Sequence, residues 1–119
     1  MKNKHLTKKV DHVNLKILNE LIIFCMSSGA TDLDMKLKDE ADRIVMSIST
    51  EAKDLPQKLI DQAKAYLKVP RQHELESYYW QLSGESDDEI ELNLVGMMTD
   101  EAELIYDNPR LTINIIRKK

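Results

Sequence analysis

Between Lys8 and Ser28 the apolar residues recur in steps of three and four, at Val10, Val13, Ile17, Leu21 and Cys25, with Leu18, Ile22 and Phe24 beside them. That spacing places them on one face of an amphipathic helix. Its last two turns are apolar nearly all round, so that end is expected to be deeply buried. Gly29 suits the C-terminus of this helix, because glycine takes the left-handed conformation without steric cost. The period then changes to two. Leu33, Met35 and Leu37 alternate with Asp34, Lys36 and Lys38; Asp39–Asp42 form a polar turn; Ile44, Met46 and Ile48 alternate with Val45, Ser47 and Ser49. This pattern predicts a β-hairpin with one packed face.

A second helix is predicted with Asp54 as its cap, Pro56 in its first turn and Gln57 three residues after the cap. Its apolar stripe is Leu55, Leu59, Ala63 and Leu67. Pro70 ends it and opens a third helix, with Leu75, Tyr78, Tyr79 and Leu82 on one side, which Gly84 terminates. Strand periodicity returns at Ile90, Leu92 and Leu94, broken by Gly96, and again at Leu104 and Tyr106 and at Leu111, Ile113 and Ile115. Asp107-Asn108-Pro109-Arg110 forms the turn between the last two strands, and Thr99–Glu103 is readable as a helical turn or a strand start. The expected order is α-β-β-α-α-β-β-β. That is an α+β two-layer sandwich with helices on one face of an antiparallel or mixed sheet. Residues 1–7 read as a basic flexible tail and 8–119 as one domain.

The chain has 119 residues, 42% apolar and 32% charged, and a net charge of −4. A domain of this size buries a core without disulfides or metal staples. An acidic balance argues against a nucleic-acid partner, which calls for a basic face. The longest apolar run, Leu21–Met26, falls far short of the roughly 20 residues that span a bilayer. With no signal peptide evident, a cytoplasmic location without membrane contact is expected. The acidic run Glu85, Asp87, Asp88, Glu89 and Glu91 reads as a solvated loop. Cys25 is the one cysteine, and its apolar neighbours make it a buried small hydrophobe rather than a nucleophile. His5, His12 and His73 offer no third ligand at a fixed spacing, so no metal site is expected. Tyr78, Tyr79 and Trp80 are adjacent, and consecutive helical residues point about 100° apart, so at least one is exposed. Tyr79 fits the core, and Tyr78 and Trp80 are candidate anchors for a protein partner. Met97 and Met98, beside Val95, are a candidate adaptable apolar patch.

A glycine-ended helix leading directly into a hairpin, followed by a helix that begins at a proline, resembles the GHKL ATPase fold of histidine kinases, gyrase and the anti-sigma-factor kinases. The last are closest in size. The resemblance spans roughly residues 10–116. It implies an ATP·Mg²⁺ site whose first helix carries a Glu, an Asn four residues later and often a His-Gly pair. Here those positions are Glu20, Phe24, Ser28 and Gly29. Phe24 cannot ligate a cation that requires oxygen donors. The resemblance also implies Asp-x-Gly-x-Gly after the second strand. Counted back from Pro56, these positions are Thr50, Ala52 and Asp54. The carboxylate that would read adenine is absent, and a negative charge stands where phosphates would approach. No glycine lies between Ala65 and Gln72, where a phosphate-cradling lid is implied. Of the side chains the resemblance would put to chemical use, Glu20 alone keeps its family identity, that of a candidate general base. The expectation is a regulatory or scaffold domain with a GHKL-like fold that has lost ATP binding. It carries no cofactor and acts through a protein partner or as a homodimer. The alternative is a small ATP-binding kinase with a diverged pocket.

Overall fold

The computed structural model describes residues 11–72 and 92–119. In chain order they form α1 (His12–Ser27), β1 (Leu33–Asp39), β2 (Arg43–Glu51), α2 (Gln57–Leu67), α3 (Leu92–Met97), β3 (Glu101–Asp107) and β4 (Arg110–Lys118). The basic tail, His5, His73, the helix expected after Pro70 with Tyr78, Tyr79 and Trp80, and the acidic run lie outside the described residues.

α1 starts later than Lys8. Asp11 is its N-cap, with a carboxylate that accepts the Val13 N–H at 2.9 Å. At the other end Gly29 takes φ +96°. The Gly29 N–H donates to Met26 O and the Ala30 N–H to Cys25 O, the paired bonds of a Schellman motif. Buried Ala30 completes it by joining the core. The chain therefore reverses within four residues and enters β1.

The four strands form one antiparallel sheet in the order β1-β2-β4-β3. At its centre β2 pairs with β4 over nine positions, with Met46 opposite Ile115 and Ile48 opposite Ile113. Alternate residues of both strands are buried: Ile44, Met46, Ile48 and Thr50 on β2; Leu111, Ile113, Ile115 and Arg117 on β4. On that face they meet Ile17, Leu21 and Phe24 of α1, Ile60, Ala63 and Leu67 of α2, and Leu92 and Val95 of α3.

Several expectations need correcting. Leu92 and Leu94 are helical, not strand. A short apolar run does not distinguish a strand from a buried helical turn by period alone, and here Leu92, Leu94, Val95 and Met98 are all buried. Met98 is therefore core, with Met97 packed beside it, and the pair forms no exposed patch. Gly96 does not break a strand; it lies within α3, pressed against α2. Thr99–Glu103 resolves as a turn that enters β3 at Glu101. The N-cap of α2 is Pro56, not Asp54, and the buried stripe is Ile60, Ala63 and Leu67, with Leu55 and Leu59 at its margin. On β1 the pairing is as expected, but Met35 and Leu37 stay 41% and 43% exposed. They lie on the helix side of the sheet, beyond the reach of α1, α2 and α3.

The end of α2 is tied to α3 and β4. The Gln72 N–H donates to Met97 O at 2.7 Å. Arg71 donates to Asp100 Oδ2 and to Lys118 O, and the Lys118 N–H donates to the same Asp100 oxygen at 2.6 Å. Burial pushes the Asp100 carboxyl up, but the bonds from Lys118 and Arg71 outweigh it and hold the group below the usual carboxylate range.

Two predictions follow from this packing. A Cβ at Gly96 would sit 2.5 Å from Tyr66 O and 2.6 Å from Val69 Cγ2. Because Tyr66 O is backbone, α2 itself has to move, so Gly96→Ala is expected to cost about 2 kcal/mol in urea unfolding despite its better helix propensity. The Asp100 carboxyl is depressed by folding. Its stabilisation is therefore present above the unfolded value of about 3.9 and is lost as pH falls through the lower folded value. Asp100→Asn should lower stability at neutral pH and flatten the decline below about pH 4; an unchanged acid limb would contradict this assignment.

Candidate functional site

Glu20 lies inside the helix layer, 1% exposed, with Lys16 Nζ 2.7 Å from its carboxylate. The i, i+4 spacing puts the two on one helix flank. A general base needs access to substrate and water, and this burial denies both. Phe24, one turn on, is 1% exposed and part of the core. Ser28 turns its hydroxyl back to Phe24 O at 2.9 Å. The side of α1 that would meet a cation is thus closed by packing and internal bonds.

The second set of positions follows β2. Thr50 is buried, and its hydroxyl donates to Asp32 O. Ala52 is buried and uses both of its backbone groups: its N–H donates to Pro109 O at 2.7 Å, and its carbonyl accepts from Tyr106 Oη at 2.7 Å. The same hydroxyl accepts the Leu55 N–H at 3.1 Å. Asp54 is exposed and takes φ +54°. Its N–H donates to Asn108 Oδ1 at 3.2 Å, and its carboxylate accepts from Asn108 Nδ2 at 3.0 Å. The β2–α2 loop is therefore clamped to the β3–β4 hairpin. The hairpin turn was legible from Asp107-Asn108-Pro109-Arg110; Tyr106 and Asn108 as the clamp were not, because nothing in their local pattern marks a partner more than fifty residues away.

A second polar centre escaped sequence reading. Arg117 alternates in phase with Leu111, Ile113 and Ile115, so it faces the core with its side chain 7% exposed. Its guanidinium donates to Met98 O at 2.8 Å, to Asn14 Oδ1 at 2.7 Å and to Asp11 Oδ2 at 3.0 Å. The charge is thereby matched and its donors engaged, as burial requires.

The remaining chemistry is sparse. Burial pushes the Cys25 thiol up to about 11, so it carries no thiolate at neutral pH. Among the described residues no three His, Cys, Asp or Glu side chains converge on a metal position, and no helix is long and apolar enough to cross a membrane. An open depression of about 200 Å³ at the β3 edge is lined by Glu101, Ala102, Glu103, Asn114 and Ile116. That is below the roughly 300 Å³ where small-molecule sites begin. The structure thus sets Thr50 near the end of β2, places Ala52 and Asp54 on the loop that follows, and leaves Glu20 and Phe24 in the helix layer. Tyr78 and Trp80 lie outside the described residues.

Comparison of the chain with protein-family models, curated proteins and solved structures gives no match.

Removing the Tyr106 hydroxyl leaves a carbonyl and an amide unpaired at the clamp. Tyr106→Phe is expected to lose about 1–2 kcal/mol, read as a lower urea midpoint at unchanged slope. An unshifted midpoint would mean that the clamp contributes nothing.

Proposed function

We propose that this chain is a non-catalytic regulatory or scaffold domain, derived from a GHKL-like ATPase layout, that has lost nucleotide binding and works through protein contacts. The observation that carries this reading is the internal engagement of the positions where the resemblance places nucleotide ligands. Phe24 fills the core, Ala52 spends both backbone groups on the β3–β4 hairpin, and Asp54 pairs with Asn108. Asp54 supports the derivation as well as the loss. It keeps the left-handed backbone that glycine favours, at a position where the resemblance expects glycine. Asp and Asn are the residues that tolerate that conformation best.

Glu20 supports the same reading. A catalytic carboxylate would face a cleft, whereas this one is enclosed and ion-paired.

The test is thermal unfolding of the full chain with and without millimolar ATP and Mg²⁺. A ligand at a hundred times its dissociation constant stabilises the folded state by about 2.7 kcal/mol. No shift of the midpoint is expected. A Mg²⁺-dependent rise would overturn the proposal and make Glu20→Gln the next variant to assay for turnover.

A further inference from the structure

β1 is an edge strand and, past Leu33, which packs against the core margin, neither of its faces is covered by the described residues. On the open face Asp34, Lys36 and Lys38 are exposed, with exposed Asp32 one step before the strand. On the helix side are Leu33, Met35 and Leu37. The helix layer is offset: α1 contacts β2 and α3, and α2 contacts β3. Steps of 100° put Leu15, Leu18, Ile22 and Met26 on one flank of α1; Leu15 is 50% and Met26 61% exposed. α1 runs alongside β2 in the same direction, because Asp11 and Asn14 bond to Arg117, opposite Ile44, and Gly29–Asp32 returns the chain beside Thr50. With the right-handed sense of a β-helix-β connection from β2 to β3, that flank of α1 is the one above β1. An apolar floor and an apolar wall thus meet at an unpaired strand edge, a surface that monomeric proteins normally blunt or cover.

The charges along β1 select what fits it. In an antiparallel pairing of β1 with a second β1, residues on the same face oppose each other, and a two-fold axis fixes the register by one residue. With Met35 opposite the Met35 of the partner subunit, Asp34 opposes Lys36, Asp32 opposes Lys38 and Leu33 opposes Leu37. By symmetry each of these pairs occurs twice. Every charged pair on the open face is then of opposite sign. A register shifted by one residue either way puts Lys36 against Lys36 or Asp34 against Asp34, and opposed like charges destabilise a sheet. The other edge cannot do this. The open-face residues of β3 are Glu101, Glu103, Ile105 and Asp107, with no base among them. A head-to-tail pairing of β1 with β3 would set Asp32 against Asp107 when Lys36 meets Glu103, and, not being two-fold, it would continue into a ring or a filament rather than stop at a dimer.

We infer that a second copy of this chain docks on β1, antiparallel and centred on Met35, joining two four-stranded sheets into one of eight with the α1 stripes bordering the seam. This deepens the protein-contact reading above by naming one partner. ATP binding would overturn that reading and leave the oligomeric state to be judged on its own.

The experiment is sedimentation of the full chain over a concentration series, with variants at exposed positions that leave the core intact. A saturable monomer–dimer equilibrium is expected. Asp34→Lys opposes two lysine pairs and should weaken it by about tenfold or more; adding Lys36→Asp restores the pairs and should recover the dimer. Under mild oxidation Met35→Cys should cross-link to its own copy and Lys36→Cys should not, while buried Cys25 stays silent. A monomer at all concentrations, a dimer indifferent to Asp34→Lys, failure of the charge swap to rescue, or open-ended growth would each overturn the proposal. Circular dichroism of each variant separates these outcomes from misfolding.

Discussion

The pairing of β2 with β4 is the constraint on which the rest of the structure depends. It joins residues 43–51 to residues 110–118, so closing it costs the entropy of a loop of about sixty residues. The apolar ladder offsets that cost. Ile44, Met46 and Ile48 on one strand and Leu111, Ile113 and Ile115 on the other present a continuous floor, and α1, α2 and α3 bury their stripes against it. β1 and β3 are then placed as edges, each by its own local turn.

Polar ties fix both ends of this ladder. At one end Arg117 continues the buried phase of β4 as a cation and binds α1 and the exit of α3 together. At the other end Tyr106 and Asn108 hold the β2–α2 loop. The second tie bears most on function. A loop whose amides and carbonyls are already bonded to a neighbouring hairpin has few groups left to offer a nucleotide. The same bonds that hold the loop rigid also occupy its backbone groups.

The two edges of the sheet differ in kind. β3 is covered on its helix side, with Leu104 buried, and is acidic on the other, which discourages pairing with its like. Past Leu33, β1 is uncovered on its helix side by the described residues, and its open side runs from acidic (Asp32, Asp34) to basic (Lys36, Lys38). Lysines on an edge strand ordinarily protect it; with aspartates at the matching offset the same lysines become half of a self-complementary code.

By itself the sequence determined α1 and its glycine stop, both hairpins and their turns, the α+β class and the burial of Cys25. Each of these is set by local periodicity or by a residue with a special backbone requirement. Tertiary structure decided what local pattern cannot carry. It made Leu92–Met97 a helix, because Gly96 allows α3 to approach the backbone of α2. It moved the cap of α2 from Asp54 to Pro56, because Asn108 holds Asp54 elsewhere. It left Met35 and Leu37 exposed although their alternation matches that of buried β2, because period two shows which side of the sheet a residue faces, and only the position of the helices decides whether that side is covered.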